Sequence, residues 1–569
     1  MKYSFVFRTK VLFLFILIIA FVFAGKLFSL QIINNNSYLE KADHQYVSSS
    51  SDIFERGSIF FQKKDGGLVS SALQATGFKL AINPSKIIDK EDVYTKLSSI
   101  LPLDHDKFIA KAEKTADPYE EVADRLTKEE ADAISILKIS GVSISKEKWR
   151  FYPGGNLASH AIGFVGYNGD VLAGRYGLER QYEKDLTRDK SSVYVNFFAE
   201  VFSDISKTLF NGEEEGGNLV TTVEPQMQSF LEKKINEVKD KYNVDSVGGI
   251  IMNPKDGSIY ALGVKPDFNL NDFSKEKTST FSNPLVENVL EFGSVVKPLV
   301  MAAALDAKVL TPQTTYDDKG SVIIEKHEIF NFDKKGRGPN TSMQEVLNQS
   351  LNTGMVFVEQ YLGKEKLRDY LLGYGIKNKT EIDLPNETSG LVSNLNSPRE
   401  IEYANASFGQ GIALTPVEMI RALASLSNGG NLVTPHLVKS IKYDDGIKKE
   451  INYPIIPTKI TPATSEEITN MLVTVMDKSL KGGLAKFDHY SVAVKTGTAQ
   501  VANPKDGGYY EDRHTHSFFG YFPAYDPKFI IFLYAVNPKG VPYASQTWAD
   551  PFLDITKFLI NYYEIPPDR

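Results

Sequence analysis

The feature that most constrains the fold of this chain is an uninterrupted apolar segment close to its N-terminus. Residues 11–30, VLFLFILIIAFVFAGKLFSL, contain one charged residue, Lys26, and follow a basic flank of Lys2, Arg8 and Lys10. A helix of this length spans about 30 Å, the thickness of the hydrocarbon core of a bilayer. Because the positive flank precedes the segment, we expect the N-terminus in the cytoplasm and the remaining chain outside it.

A cleaved signal peptide is the alternative interpretation of the same segment. Val22 and Ala24 stand where a signal peptidase expects small residues after a short apolar region. The apolar character continues through Leu27, Phe28 and Leu30, however, which favours an uncleaved anchor. No other stretch is as long and as apolar, so the sequence predicts a single crossing.

Length and composition limit what lies beyond the anchor. The chain has 569 residues, too many for one ordinary core, and its 42% apolar and 24% charged residues are typical of globular domains. A net charge of −7 without a long basic run gives no sign of nucleic-acid binding. The absence of cysteine excludes disulfides, thiolate zinc sites and cysteine nucleophiles.

The apolar periodicity changes along the chain and indicates where its domains lie. Residues 129–139 have the spacing of an exposed amphipathic helix, and 217–242 indicates a strand, a turn at Pro225 and a helix. Residues 247–264 indicate two strands joined by the turn NPKDG, at the edge of a mixed sheet. We expect helices from 294 to about 430 and strands again after residue 491. Strands at both ends with helices between predict one large α/β or α+β domain.

A lysine in an apolar setting is the first sign of chemistry. Ser294 lies three residues before Lys297, and the neighbours of both are apolar. Residues i and i+3 share one helix face, so the spacing predicts a hydrogen bond between these side chains. Burial and a second cation nearby would lower the pKa of the lysine, which would then act as the base for the serine nucleophile. Gly293 would allow the sharp turn into the helix, and Pro298 is tolerated in a first turn.

Two further motifs follow in the order known from serine acyl-transferases built on Ser-x-x-Lys, Ser-x-Asn and Lys-Thr-Gly. Ser350 and Asn352 form the second motif, and residues 495–498 form the third. We expect Ser350 to relay a proton and Asn352 to hold a substrate amide. Taken singly, each motif has an ordinary explanation, such as a helix cap or the end of a surface strand. Together they favour catalysis.

The third motif reads as a strand beside the nucleophile. Alternation along a strand places Lys495 and Gly497 on one face and Thr496 and Thr498 on the other. Gly497 would leave room for a substrate backbone along the strand edge, and Lys495 would supply positive charge for a substrate carboxylate. The backbone N–H groups of Thr498 and Ser294 would form an oxyanion hole.

With these motifs the sequence resembles the class B penicillin-binding proteins, which are single-pass membrane transpeptidases of peptidoglycan synthesis. The resemblance extends over nearly the whole chain and includes five further segments: RGSIFFQKKDG (56–66), RFYPGGNLASHAIGFVG (150–166), GRYGLERQYEKDL (174–186), FGQGIALTPVEMIRALASLSNGG (408–430) and HSFFGYFPAYDPKF (516–529).

The resemblance implies an α+β multidomain fold. A cytoplasmic stub and transmembrane helix (1–35) would precede a β-rich pedestal domain of the dimerisation type (36–230) and a penicillin-binding transpeptidase domain (231–569). The transpeptidase domain would be a mixed α/β serine acyl-transferase fold with a central antiparallel sheet. About 200 residues between anchor and catalytic domain leave no room for a glycosyltransferase, which argues against the bifunctional class A proteins.

Two positions depart from the pattern of the family. Phe292 stands where the family usually has proline before Gly-Ser, and FFQKKDG follows Ile59 where Asp-Arg-Asn-Gly is expected. The first departure lies in the loop before Ser294, and the second lies in the pedestal. Neither removes a catalytic group.

The resemblance also implies the reaction. Ser294 would attack the penultimate D-alanine of a stem peptide, the terminal D-alanine would leave, and an amine of a neighbouring stem peptide would take the acyl group. Lys495, Thr496 and Thr498 would hold the terminal carboxylate, and β-lactams would acylate Ser294. No metal or cofactor is required, and His514 and His516, without a clear third ligand, are interpreted as structural.

The alternatives are a D,D-carboxypeptidase or β-lactamase, in which water takes the acyl group, and a non-catalytic scaffold or sensor. A free β-lactamase rarely needs an anchor and a pedestal, a sensor should carry a larger cytoplasmic part, and a silent scaffold could lose Ser294 or Lys297. The family also implies a multi-span glycan polymerase as partner, contacted through the anchor and pedestal.

Overall fold

The computed structural model describes residues 55–169, 171–188, 216–443, 446–503 and 507–569. The predicted anchor lies outside these residues, as do the start of the predicted pedestal and residues 189–215 within it. None of the helices in the described ranges is both long enough and apolar enough to cross a membrane. The described chain divides into two compact units, one formed by residues 75–149 and the other by residues 55–74 and 150–569.

The smaller unit packs three helices on a short sheet. The strand Leu68–Ile82 continues into this unit and pairs antiparallel with Glu120–Leu126, and Val142–Phe151 pairs with it as well. The helices are Lys90–Ser98, His105–Ala112 and Lys128–Ile136. The last one confirms the helix predicted at 129–139. Thr127 and Glu130 fix its start through reciprocal hydrogen bonds between side chain and backbone.

The larger unit begins with strands that join distant parts of the sequence. Ile59–Gln62 pairs antiparallel with Leu68–Ile82 and parallel with Gly217–Thr221. Gly217–Thr221 in turn pairs antiparallel with Val438–Tyr443, whose other neighbour is Lys448–Glu450. Short elements also belong here: the strands Val165–Asn168 and Val171–Gly174 and the helices Ser159–Ile162, Gly177–Gln181 and Glu183–Leu186.

A buried ion cluster explains three of the segments that carry the family resemblance. Glu179 is fully buried, and its carboxylate accepts from the guanidinium groups of Arg56, at 2.5 Å, and Arg150, at 2.6 Å. Tyr152 donates to the same carboxylate at 3.3 Å. Because a buried charge is tolerated only when it is paired, these residues depend on one another.

The central sheet of the larger unit has five strands, all antiparallel. Their order is Ala493–Ala502, Tyr509–Phe522, Phe529–Val536, Ser246–Met252 and Ile259–Lys265. The central antiparallel sheet is therefore confirmed, as is the hairpin at 247–264. This hairpin lies at the edge of the sheet as predicted, but the sheet is not mixed. The helix Pro225–Tyr242, predicted from its periodicity, packs against this hairpin, and Ala544–Tyr562 packs against Tyr509–Phe522.

The prediction of helices from 294 to about 430 is only partly right. Two small antiparallel pairs interrupt this region, Thr315–Asp318 with Gly338–Ser342 and Ser321–Ile324 with His327–Phe330. These strands are too short to show an apolar period that could be told from a helical one. Turn-forming residues such as Gly320 separate them. The α-helices between residues 284 and 478 are Pro284–Glu287, Lys297–Asp306, Met343–Asn348, Asn352–Leu362, Lys364–Gly373, Glu400–Ala406, Pro416–Ala424 and Pro462–Lys478. A further short strand pair is Asn431–Leu432 with Ile456–Pro457.

Candidate active site

Ser294 lies in a single 3₁₀ turn, Gly293–Val295, and the α-helix begins only at Lys297. Ser294 is half-buried, whereas the valines that follow it are buried. Gly293 has φ +61°, and a Cβ there would lie 2.9 Å from the carbonyl oxygen of Thr498. The glycine therefore permits both the turn and the close approach of the third-motif strand.

Lys297 is completely buried, and its amine faces the second motif. Nζ donates to the Ser350 carbonyl oxygen at 2.6 Å, to Asn352 Oδ1 at 2.8 Å and to Ser350 Oγ at 3.3 Å. Burial, and after it the charge of Lys495, lowers the pKa of Lys297 well below its usual value. A lysine in this setting gives up its proton readily, as the sequence pattern predicts for a base.

The predicted hydrogen bond between Ser294 and Lys297 is absent. Within the described parts of the chain, the Ser294 hydroxyl has no hydrogen-bond partner, and Lys297 bonds to the second motif instead. The Lys297 amine is instead directed at Ser350 and Asn352, which supply three acceptors.

Ser350 lies in the turn between two helices, Asn352 is the first residue of the second helix, and both contact Lys297. Ser350 has φ +55° after the helix Met343–Asn348 has ended. Asn352 begins the next helix, and its Nδ2 donates to the Phe330 carbonyl at 2.9 Å. With its amide nitrogen on that carbonyl, Asn352 presents its oxygen to the lysine.

A buried polar network that the sequence analysis missed holds this second motif in place. The Asp318 carboxylate accepts from Thr353 Oγ1 at 2.8 Å and from Asn331 Nδ2 at 3.0 and 3.1 Å. The amide oxygen of Asn331 accepts from the Thr353 backbone N–H at 3.2 Å. No local sequence signal marks these residues, because Asp318 ends a strand, Asn331 lies in a loop and Thr353 belongs to a helix.

Lys495 approaches the second motif from the sheet. It is buried, and its Nζ donates to Ser350 Oγ and to the Thr496 carbonyl, each at 3.0 Å. Burial lowers the pKa of Lys495 to about 7. Burial therefore opposes the positive charge that was predicted for binding a substrate carboxylate. Ser350 consequently lies between two amines that both have lowered pKa values.

The predicted alternation along the third motif is confirmed. Lys495 and Gly497 are buried, while Thr496 and Thr498 are half-buried on the other face. The hydroxyl oxygen of Thr498 accepts from the backbone N–H of Ala544 at 3.1 Å. The oxyanion hole of Thr498 and Ser294 and the substrate contacts of the two threonines stay predictions.

Position 497 requires a glycine for a structural reason that the sequence pattern did not indicate. A Cβ there would lie well under 3.0 Å from both the Phe292 carbonyl oxygen and Ser517 Oγ, and 3.0 Å from the Val295 nitrogen. The glycine thus admits the nucleophile turn against the strand. Phe292, which departs from the family pattern, is buried and packs edge-to-face on Phe532 with ring centroids 5.0 Å apart.

Glu291 is a further residue near the nucleophile that the sequence analysis did not single out. Its carboxylate accepts from the Tyr509 hydroxyl at 3.0 and 3.2 Å. Burial raises the pKa of Glu291 to about 7. The contact ties the turn before Ser294 to the start of the strand Tyr509–Phe522. The sequence signal that could have revealed Glu291 is a glutamate three residues before Ser294.

The two histidines belong to the sheet rather than to the lysine cluster. His516 is fully buried, and its Nδ1 is 2.8 Å from the Thr547 hydroxyl. Burial lowers the pKa of His516 to about 4 and also lowers that of His514. Across the described ranges, no group of three or more histidine, cysteine or acidic side chains is arranged to hold a metal ion.

Ser294 is half-buried in the turn that precedes a helix. Two buried lysines meet on a second serine, and one of them lies on the edge strand of an antiparallel sheet. This combination defines the class of serine acyl-transferases that react with penicillins. Comparison with known families agrees. Residues 247–556 match the family model of the penicillin-binding protein transpeptidase domain, and residues 55–221 match that of the penicillin-binding protein dimerisation domain.

Individual relatives lie in the same family. Stage V sporulation protein D of Bacillus subtilis is 30% identical over 499 residues, covering 84% of this chain and 76% of the relative. Peptidoglycan D,D-transpeptidase FtsI of Buchnera aphidicola is 25% identical over 579 residues, covering 100% and 96%. The chain belongs to the class B penicillin-binding proteins and has their dimerisation domain and α+β transpeptidase domain with a central sheet.

Solved structures show the same fold. Penicillin-binding protein 2X from Streptococcus thermophilus superposes with a TM-score of 0.73 at 22% identity, covering 90% of this chain and 79% of the other. Penicillin-binding protein 3 from Mycobacterium tuberculosis, solved in complex with ampicillin, gives a TM-score of 0.69 at 20% identity, covering 90% and 96%.

Proposed function

We propose that this chain is a peptidoglycan D,D-transpeptidase that cross-links stem peptides through an acyl-enzyme on Ser294. The observation that carries the proposal is the convergence of Lys297 and Lys495 on Ser350 beside the half-exposed Ser294. Two buried amines that share one hydroxyl form a path for protons. The family model and the relatives named as D,D-transpeptidases support the same activity.

In the first step, Lys297 takes the proton of Ser294 as its oxygen attacks the carbonyl carbon of the penultimate D-alanine. The negative charge that develops on the carbonyl oxygen is stabilised by the N–H groups of Ser294 and Thr498. The proton then passes through the Ser350 hydroxyl to the nitrogen of the terminal D-alanine, which leaves. Catalytic hydrogen bonds often form only with substrate bound, so Ser294 and Lys297 need not bond beforehand.

In the second step, an amine of a neighbouring stem peptide attacks the ester on Ser294. The proton of the amine returns along the same path, and the serine oxygen leaves as the hydroxyl. Asn352 holds a substrate amide, while Thr496, Thr498 and the protonated fraction of Lys495 bind the terminal carboxylate. Gly497 leaves room for the substrate backbone along the strand edge. β-Lactams acylate Ser294 in place of the peptide.

We also propose that residues 11–30 anchor the chain once in the cytoplasmic membrane, with the catalytic domain outside it. The apolar length and the basic flank support this topology. A multi-span glycan polymerase is the proposed partner, in contact with the anchor and pedestal. Exchange of the anchor for an unrelated transmembrane helix should weaken co-purification with that partner, and unchanged co-purification would contradict it.

Acylation of the full chain in detergent tests the proposed activity. Incubation with ampicillin should add one covalent adduct, seen by intact mass and assigned to Ser294 by peptide mapping, that lasts for minutes. Ser294→Ala should carry none. An adduct lost within seconds would indicate a β-lactamase, and an adduct on another residue would refute the nucleophile. With a peptide thioester donor, transfer to an added amine distinguishes the transpeptidase from a carboxypeptidase, which gives only hydrolysis.

A further inference from the structure

Two exposed aromatic rings contact one another near the proposed active site. Phe332 is 55% exposed and Tyr543 is 43% exposed, so neither belongs to the core. Their ring centroids are 5.7 Å apart and their planes meet at 82°, which is the favourable edge-to-face geometry. The pair is therefore a specific contact on the surface of the protein.

Phe332 belongs to the same wall as the second motif. It lies on the loop after Phe330, whose carbonyl accepts from the Asn352 amide. The Arg337 guanidinium lies 5.9 Å from the centre of the Phe332 ring, and its Nε donates to Gln349 Oε1 at 2.8 Å. Gln349 directly precedes the second-motif serine. The ring is thus held on this wall through contacts on both sides.

Tyr543 belongs to the opposite wall, which carries the third motif. It directly precedes the helix Ala544–Tyr562, whose first N–H donates to the Thr498 hydroxyl oxygen at 3.1 Å. Its own backbone N–H donates to Gln546 Oε1 at 3.4 Å. The position of Tyr543 is thus set by the strand that borders the nucleophile.

The same two walls are joined at two levels. A partly buried polar contact, Lys495 Nζ to Ser350 Oγ at 3.0 Å, joins them inside, and the ring pair joins them at the solvent surface. Ser294 and Thr496 are half-buried. We propose that Phe332 and Tyr543 form a gate that determines specificity: a ligand with a bulky group next to the reacting carbonyl must part the rings, whereas a small one enters without doing so. This inference rests on the proposed acylation of Ser294.

The size of the effect follows from the strength of an aromatic pair. An edge-to-face contact favours the closed form by roughly two- to ten-fold over an open form without it. When the competent form is the minor one, the rate of reaction scales with its population. Loss of either ring removes the whole contact, so the two single variants and the double variant should all open the gate to the same extent.

The test measures the second-order rate constant for acylation of Ser294 in the full chain, by intact mass. The probes are ampicillin, which has a bulky side chain, and aminopenicillanic acid, which is the penicillin nucleus without one. Phe332→Ala, Tyr543→Ala and the double variant should each react with ampicillin about two- to ten-fold faster than the natural chain. The double variant should gain no more than either single one, and rates with aminopenicillanic acid should stay the same.

A matched control is Tyr525→Ala. Tyr525 is also 55% exposed but lines a cavity of about 650 Å³ to which none of the predicted site residues contributes. Its rates should equal those of the natural chain. Phe332→Leu and Tyr543→Leu keep apolar bulk but lose the ring contact, so they test the gate even where an alanine variant fails to fold.

Four outcomes would overturn the gate. The first is slower ampicillin acylation, which would make the rings ligand contacts. The second is equal acceleration of both probes, and the third is an additive gain in the double variant. The fourth is an unchanged rate in every variant. Failure of the proposed function looks different, because then no form of the protein would carry an adduct from either probe.

Discussion

Substitution of Gly497 by alanine should uncouple the nucleophile turn from the third-motif strand. The new methyl group would lie well inside 3.0 Å of the Phe292 carbonyl oxygen and of Ser517 Oγ, whereas ordinary contact begins at 3.4 Å. Neither neighbour yields easily, because one is backbone and the other donates to that same carbonyl at 2.7 Å. The turn that carries Ser294 must therefore move.

Two magnitudes follow from this clash. Overpacking of a well-packed site costs about 1–3 kcal/mol of unfolding free energy. A displacement of the reacting atom by about 1 Å costs about 100-fold in rate. We expect ampicillin acylation of Gly497→Ala to slow by about 10- to 100-fold, with a modest fall in the melting temperature.

The assay is stopped-flow or quenched mass spectrometry of the full chain, alongside thermal unfolding. Gly373→Ala is the matched control, since a Cβ there meets no atom within 4 Å. Adding Ser517→Ala to Gly497→Ala should restore only part of the rate, because the Phe292 carbonyl still opposes the methyl group. Acylation of Gly497→Ala at the natural rate would refute the argument that this glycine positions Ser294.

Three further predictions concern buried charges. Lys297→Met should lower the ampicillin acylation rate by about 10²–10⁴-fold while the chain stays folded, because the base is lost. Burial sets the folded-state pKa of Lys495 at about 7, below its usual 10.5, so unfolding free energy should fall as the pH falls from 10.5 to 7. Lys495 contributes up to about 1.4 kcal/mol per pH unit to this slope, and denaturant titrations of Lys495→Met should show a slope smaller by that amount, because Lys297 still contributes its own. Glu179→Gln should lower the unfolding free energy by about 3–5 kcal/mol, measured by denaturant unfolding, because Arg150 would stay buried without its anion and Arg56 would keep only Glu183.

Each of these predictions has an outcome that contradicts it. A Lys297→Met protein that acylates normally would remove the lysine from the mechanism. An identical pH slope in the natural chain and Lys495→Met would show that other groups cause it. For the ion cluster, Glu450→Gln is the control, since its exposed pair with Lys448 should contribute less than about 1 kcal/mol. Equal losses at positions 179 and 450 would refute the buried-charge argument.

The local chemistry of the site was accessible from the sequence. Ser294 with Lys297, Ser350 with Asn352, and residues 495–498 are short motifs that can be recognised from the sequence alone. The hydrogen bond predicted from the spacing of Ser294 and Lys297 nevertheless does not form in the described structure. The hairpin at 247–264 and the helix Pro225–Tyr242 were accessible as well, because their apolar periods are regular. The central antiparallel sheet was expected only from the family resemblance, since periodicity alone indicated a mixed sheet. The short strands between 315 and 342 were missed, since four-residue strands carry too little periodicity.

The meeting of these motifs was decided by the tertiary structure. Three contacts of the site join residues that are far apart in the chain. They are the hydrogen bonds of Lys297 to the second motif, that of Thr353 to Asp318, and the ring contact of Phe332 with Tyr543. Sequence periodicity records which face of an element is buried, but not which distant element it meets. A lysine among apolar residues is therefore visible as a candidate base in the sequence, whereas its pKa is set only when packing removes water and brings Lys495 close.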